Sequence, residues 1–118
     1  MIKPFTVDYT ITGMAANAAN ASILDAANVD RVAKLNAAQR TLFISEMKKL
    51  GYNCTASQAN FIMVDIKRPV APVIAEFEKR NVLVGREFPA MKNFLRVTFG
   101  TADEMKKFMV AFREIFRA

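Results

Sequence analysis

Arg96 is the residue whose type and position point most directly to chemistry. It lies inside Phe94–Phe99, a run of β-branched and aromatic residues that is typical of a buried strand. A guanidinium is rarely buried unless an anion meets it, and its planar fork can donate two parallel hydrogen bonds to a carboxylate. The sequence therefore leaves two alternatives. Either an internal acid such as Asp65 or Glu87 pairs with Arg96, or Arg96 faces a cleft where a ligand supplies the negative charge.

Composition excludes several other kinds of site. The chain has no His, which excludes His-containing zinc sites and nucleophiles activated by His. The single cysteine, Cys54, has no internal disulfide partner, as is typical of a reducing compartment. No apolar run approaches the roughly 18 residues of a membrane span, and the N-terminus lacks the layout of a signal peptide. We therefore expect a cytoplasmic protein with no metal site and no membrane partner.

The net charge of +6 raises the question of nucleic-acid binding. The basic residues are spread over the whole chain, and their longest clusters are pairs such as Lys48-Lys49 and Lys79-Arg80. Pairs of this kind are typical of solvated helix faces. Sheet-face RNA binders also carry a basic-Gly-aromatic motif that LRVTFG does not supply. No nucleic-acid partner is expected, although a stand-alone basic nucleic-acid-binding module stays open as an alternative.

The elements that must position Arg96 follow from hydrophobic periodicity and from cap and turn signals. In chain order, the sequence predicts an extended segment over residues 1–10, an Ala-rich helix from Thr12 to Leu24, a helix from Val29 to Leu50, a polar connector from Tyr52 to Ser57, a strand from Asn60 to Ile66, a helix that begins at Pro69 or Pro72 and ends at Asn81, strands at Val82–Val84 and Phe94–Phe99, and a helix that begins at Thr101.

This order predicts an α+β fold: a small three-stranded sheet covered by helices and preceded by the Ala-rich helix. We expect a single domain over residues 1–118, with an N-terminal segment and helix at 1–27 and a compact core at 28–118. Because side chains alternate along a strand, Leu95 and Val97 should face the core, away from Arg96. The apolar positions of the second helix predict its buried stripe, which comprises Val29, Val32, Leu35, Leu42, Ile44 (or Phe43), Met47 and Leu50.

The order of these motifs resembles the small C-terminal domain of fold-type I aminotransferases, and in particular that of histidinol-phosphate aminotransferase and its near relatives. The most specific parts are ANF at 59–61 and LRVTFGT at 95–101, with VGREFP between them. The upstream KPFTV, the Ala-rich helix and the helix that contains Asn36 and Arg40 are similar to the segment where that family's chain crosses from the large domain into the small one. The resemblance covers essentially all 118 residues.

The resemblance implies substrate-binding roles for three residues. Arg96 matches the arginine that binds the α-carboxylate of the amino-acid substrate. Arg86 lies where related enzymes place a second basic residue near the substrate side chain or phosphate, and Asn60 lies near the site entrance. Phe61 is expected to be a packing residue. The implied function is that of a substrate-binding domain for an amino-acid or histidinol-phosphate type substrate.

The resemblance also implies pyridoxal phosphate as the cofactor of the parent enzyme. In that family a lysine, an aspartate and a phosphate-binding loop of the large domain hold it, and no lysine of this sequence matches the cofactor-lysine motif. We therefore expect no cofactor on this chain alone, no catalytic residue in it and no transamination by it. Without its covering domain the chain is expected to form a homo-oligomer such as a dimer. A dimerisation or regulatory module that binds no ligand stays open as a further alternative.

Overall fold

The computed structural model of the protein describes residues 11–117, which form four helices and a three-stranded antiparallel sheet. This confirms the predicted α+β fold, while the predicted extended segment at 1–10 lies outside the described residues. The elements are α1 (Gly13–Leu24), α2 (Ala26–Lys49), β1 (Asn53–Cys54), β2 (Phe61–Asp65), α3 (Val70–Glu78), β3 (Phe94–Thr98) and α4 (Ala102–Phe116).

The described residues fall into two units, with the boundary between Lys34 and Leu35. In the first unit, α1 begins after Thr12, whose hydroxyl accepts a hydrogen bond of 3.2 Å from a first-turn amide. The carboxylate of Asp25 accepts a hydrogen bond of 3.1 Å from the amide of Asn28 at the start of α2. No side chain of α1 is buried, as expected for a helix made largely of alanine and asparagine. That the chain forms a single domain stays a prediction.

In the second unit, the sheet has the order β1-β2-β3, and both strand pairs are antiparallel. The register between β2 and β3 places Ile62 opposite Val97 on one face and Met63 opposite Arg96 on the other. Because side chains alternate along each strand, the sheet has an apolar face and a face that carries the guanidinium.

The core covers only the first of these two faces. Phe77 of α3 and Phe112 of α4 are fully buried against it, and the Phe77 ring stacks on Phe108 with centroids 5.1 Å apart. The buried residues of α4 include Met105, Phe108 and Phe112, which lie on one face of the helix. Among the described residues, the largest side chains that are fully buried are Phe77, Phe112, Met47, Ile62, Leu95, Val64 and Val70.

The predicted stripe of α2 is only partly correct. Phe43 and Met47 are buried, with 3% and 0% exposure, whereas Leu42 and Ile44 are 64% and 37% exposed. Phe43 is the buried residue of the two because its ring packs against Phe99 and Phe108, with centroids 5.8 Å and 5.7 Å away. The remaining positions of the predicted stripe are exposed: Val29, Val32, Leu35 and Leu50.

The strand predicted at Val82–Val84 is wrong, and the third strand of the sheet comes from elsewhere. β1 forms within the predicted connector, where Asn53 and Cys54 pair with β2. Val82–Val84 has no strand pairing and approaches β3 through the hydrogen bond of 2.9 Å from Gly85 N to Arg96 O. Residue composition alone predicted a strand here, but a strand also needs a ladder of hydrogen bonds that this segment lacks.

Left-handed turns and a helix cap mark the ends of these elements. Gly51 and Asn81 both have left-handed backbone conformations, with φ of 82° and 56°. At the start of α4, the Thr101 hydroxyl accepts a hydrogen bond of 3.3 Å from Glu104 N, while the Glu104 carboxylate accepts one of 2.7 Å from Thr101 N. This reciprocal capping box fixes the point where the chain leaves β3 and enters α4.

The buried aromatic cluster should carry much of the stability of the second unit. We expect Phe112→Ala to lower the free energy of unfolding by about 3–5 kcal/mol, because it leaves a cavity among rings that cannot fully collapse. Leu83→Ala is the control, since Leu83 is 86% exposed, and it should change stability by less than about 0.5 kcal/mol. Urea unfolding followed by circular dichroism measures both, and equal losses would contradict the assigned core.

Candidate functional site

Arg96 lies at the middle of β3 on the sheet face opposite the core. Its neighbours Leu95 and Val97 are 0% and 2% exposed on the core face, as predicted, whereas the Arg96 side chain is half-buried. Met63 faces it across the strand pair and is also largely buried, although it does not belong to the core cluster. The Arg96 side chain therefore lies next to an apolar residue on this sheet face.

An aromatic ring lies against the Arg96 guanidinium. The Arg96 Cζ atom is 4.3 Å from the centre of the Phe61 ring, which belongs to β2. Phe61 pairs with Thr98, so it is the diagonal neighbour of Arg96 on the same sheet face. This contact is a cation–π interaction, and it gives Phe61 a role in addition to the packing predicted from sequence.

Gly85 lies against the aliphatic part of the same side chain. A Cβ atom placed on Gly85 would lie 2.6 Å from Arg96 Cβ and 2.9 Å from its Cγ, closer than real atoms approach. The backbone at this position is also tied to β3 by the hydrogen bond of 2.9 Å from Gly85 N to Arg96 O. Only a glycine allows this approach of the two chain segments.

No internal acid neutralises Arg96 among residues 11–117. None of the ion pairs in that range involves Arg96, and its Nε atom is buried without a hydrogen-bond partner. Asp65 instead accepts a hydrogen bond of 2.9 Å from Lys67 N, and Glu87 is exposed. In the described part of the chain, the alternative of an internal ion pair with Asp65 or Glu87 is therefore not realised.

Arg86 follows Gly85 directly, so its backbone lies next to β3. Its side chain is exposed, and its Cζ atom is 4.7 Å from the centre of the Phe88 ring. The second predicted basic residue is thus close to Arg96 in the fold but does not contact it through its side chain. The arrangement places two cations near the same sheet edge.

Asn60 lies directly before β2, where its backbone oxygen accepts a hydrogen bond of 2.8 Å from Phe99 N. Its side chain is exposed and makes no hydrogen bond within residues 11–117. The chain segments that carry the three predicted site residues therefore meet at β3 through their backbones, and no hydrogen bond joins their side chains.

The loop before Phe61 is held by contacts that the sequence did not reveal. Arg40 Nη1 donates a hydrogen bond of 2.9 Å to Ala59 O, and its Nη2 donates one of 3.3 Å to the side chain of Gln58. The Ser57 hydroxyl donates a hydrogen bond of 2.6 Å to Phe61 O. The resemblance drew attention to Arg40 only as a residue of the helix, and its distance of 19 positions from Ala59 left no local signal of this contact.

Two other titratable groups of the second unit, Glu104 and Cys54, have shifted pKa values, and neither contacts Arg96 through a hydrogen bond or an ion pair. A crevice of about 370 Å³ lies between residues 81–85, the end of β3 and the start of α4, and it does not include Arg96. Its Glu104 caps α4, and the hydrogen bonds from Thr101 hold the pKa of that carboxyl below its usual value. Burial raises the pKa of the Cys54 thiol, which disfavours the reactive thiolate.

Two further findings limit the kinds of site within residues 11–117. Their His, Cys, Asp and Glu side chains form no group of three or more that could hold a metal ion. None of their helices combines the length and the apolar character needed to cross a membrane.

The chain is similar to known proteins along almost its whole length. Residues 1–112 match the family described as aminotransferase class I and II. Histidinol-phosphate aminotransferase of Moorella thermoacetica is 32% identical over 96% of this chain and 28% of its own length. That of Clostridium acetobutylicum is 33% identical over 96% of this chain and 33% of its own length.

A solved structure shows the same similarity in three dimensions. It is a protein of Erwinia carotovora atroseptica, provisionally assigned as a histidinol-phosphate aminotransferase, which superposes with a TM-score of 0.79 at 27% identity. The superposition covers 87% of this chain and 30% of that protein. The chain thus spans about a third of the length of these relatives, and its fold is that of the matching part.

The absence of an internal partner for Arg96 within the described residues has a measurable consequence. We expect Arg96→Leu to leave the free energy of unfolding unchanged or to raise it slightly, because removal of the buried Nε donor without a partner offsets the loss of the stack on Phe61. Arg117→Leu, at an exposed position after α4, is the control for removal of one positive charge. Chemical unfolding compares the two variants. A loss of about 3–5 kcal/mol for Arg96→Leu alone would indicate a broken buried ion pair.

Proposed function

The chain belongs to the class I and II aminotransferase family, and from this membership we propose that it is the substrate-binding small domain of an aminotransferase. Membership of the family implies pyridoxal phosphate as the cofactor of the parent enzyme. We propose a substrate of the amino-acid or histidinol-phosphate type, supported by the names of the two relatives that match 96% of the chain.

The observation that carries this proposal is the guanidinium of Arg96, which lies on the sheet face opposite the core and has no acidic partner within residues 11–117. In the proposed role, Arg96 binds the α-carboxylate of an amino-acid substrate through two parallel hydrogen bonds. Histidinol phosphate has a phosphate ester at the corresponding end of the molecule, and phosphate oxygens accept the same pair of hydrogen bonds. One arginine can therefore serve both substrates.

Arg86 and Asn60 are proposed as further substrate-binding residues. Arg86 is exposed next to the Arg96 strand and supplies a second positive charge for a phosphate or an acidic side chain. Asn60, exposed at the first position before β2, offers an amide at the entrance of the same face. Both roles rest on placement and on residue chemistry, since neither side chain contacts Arg96.

The described residues do not fit the cofactor by themselves. A lysine that holds pyridoxal phosphate must be shielded from water next to the groups that bind the ring and the phosphate. Each lysine within residues 11–117 is exposed instead, as Lys34 and Lys106 illustrate with 77% and 78% exposed side chains. We therefore propose that the chain orients substrate within the parent enzyme and does not transaminate alone.

Self-association and a cytoplasmic location are part of the proposal. Large apolar side chains are exposed in both units, including Ile23 at 74% and Leu83 at 86%. Exposed apolar groups of this kind favour contact with another protein surface. A homo-oligomer of the chain is the proposed outcome where no other domain covers them.

The proposed role of Arg96 is tested by nuclear magnetic resonance on the 118-residue chain labelled in its arginine side chains. The probes are L-glutamate and L-histidinol phosphate at constant ionic strength, and the signal is the Nε–Hε resonance of Arg96. We expect a saturable shift with both probes, and binding roughly tenfold weaker for L-histidinol, which lacks the charged acceptor.

Because Arg96→Leu lacks the Arg96 resonance, the variants and the unsubstituted chain are compared by isothermal titration calorimetry with the same probes. Arg96→Leu should abolish this binding, whereas Arg117→Leu, which removes an exposed charge after α4, should retain it. Identical titrations for Arg96→Leu and the unsubstituted chain would contradict the proposal, because the anion would then be bound at another site. The absence of any saturable shift in the unsubstituted chain would contradict it as well.

A further inference from the structure

The Arg96 side chain is held between two chain segments that are distant in sequence. The Phe61 ring lies against the guanidinium, with 4.3 Å between Arg96 Cζ and the ring centre. The Gly85 backbone lies against the aliphatic part, so closely that a Cβ on residue 85 would come within 3.0 Å of Arg96 Cδ. We propose that Phe61 and Gly85 are positioning residues that fix Arg96 for anion binding, a role that rests on the function proposed for Arg96.

The contact with Gly85 limits where the aliphatic part of the side chain can lie. A glycine at this position lets the 82–85 segment approach β3, and the Gly85–Arg96 hydrogen bond of 2.9 Å keeps it there. Arg96 then has backbone on one side and the sheet surface beneath it. Side chains closed in on two sides lose rotamer freedom when the domain folds and not when the ligand binds.

The contact with Phe61 fixes the other end of the side chain. An aromatic face attracts the guanidinium and orients its plane, while it offers no acceptor to its N–H groups. Stacking therefore leaves the donors of Arg96 free for a ligand, whereas a carboxylate at the same place would occupy them. Within residues 11–117, Arg96 has the ring as a neighbour and has no acidic partner.

Phe61 is itself anchored, so it can serve as a fixed support. The Ser57 hydroxyl donates to Phe61 O at 2.6 Å, and Arg40 donates a hydrogen bond of 2.9 Å to the oxygen of Ala59, two residues before Phe61. These contacts connect the ring to the long helix α2. Phe61 is half-buried on the same sheet face as Arg96 and lies outside the core cluster, so its ring is available to stack on the guanidinium.

The first test needs no ligand. The heteronuclear NOE of the Arg96 Nε–Hε group is measured in the free chain, in Phe61→Leu, in Phe61→Tyr and in Gly85→Ala. We expect Phe61→Leu to lower the Arg96 value to that of the exposed Arg117, and Phe61→Tyr to restore it because the aromatic face is kept. Gly85→Ala should also change the Arg96 value, because the new methyl group displaces the side chain.

The matched control is Phe88→Leu, which removes the ring that lies 4.7 Å from Arg86 Cζ. It should leave the Arg96 NOE unchanged, since the two stacks are separate. Urea unfolding of each variant confirms that it is folded. If Phe61→Leu leaves the Arg96 NOE at its original value, Phe61 only packs and the positioning role is overturned.

The second test measures binding of L-histidinol phosphate by each variant. We expect the dissociation constant to rise about threefold to tenfold in Phe61→Leu and to stay unchanged in Phe61→Tyr. An unchanged constant in Phe61→Leu would overturn the positioning role. If the unsubstituted chain does not bind the probe, the proposed function of Arg96 fails, and the NOE measurement in the free chain still decides whether Phe61 and Gly85 order its side chain.

Discussion

The alternation of side chains along β3 is the constraint on which the rest of the site depends. Leu95 and Val97 are buried in the core, with 0% and 2% exposure, so Arg96 between them must face the other way. A slip of one residue in the pairing with β2 would place the guanidinium in the core and two apolar side chains outside. Hydrophobic burial therefore fixes the side of the sheet on which the charge lies, although no apolar residue contacts a ligand in this proposal.

Burial of one sheet face does not determine how the side chains on the other face are held. The surroundings of Arg96 are set by the segments beside β3. These segments are held by the capping box at Thr101, by the left-handed turn at Asn81 and by the hydrogen bonds that Arg40 makes to the loop before β2. The Phe61 ring and the Gly85 backbone lie against Arg96 in this arrangement. The core therefore determines which face of β3 is buried, and the neighbouring segments determine the position of the Arg96 side chain.

This separation explains how much could be predicted from sequence. The fold class, the start of a helix at Thr101 and the unusual position of Arg96 depend on local composition and periodicity, which are visible in the sequence. The choice of Phe43 over Ile44, the missing strand at Val82–Val84 and the stack of Phe61 on Arg96 depend on contacts between distant segments. An apolar triplet such as Val82–Val84 has the composition of a strand whether or not a neighbour supplies the ladder, so composition could not exclude it.

The energetic state of Arg96 links these observations to function. Within residues 11–117 the Arg96 Nε atom is a buried donor without a partner, and such a donor costs about 1–3 kcal/mol in stability. The fold tolerates this cost because the alternation along β3 leaves the side chain no other face, and because Phe61 offsets part of it by stacking. An arginine held in this way has already lost much of its freedom before any anion arrives, so little further ordering opposes binding. In the proposed role, the domain would then contribute a preformed anion site to the parent enzyme.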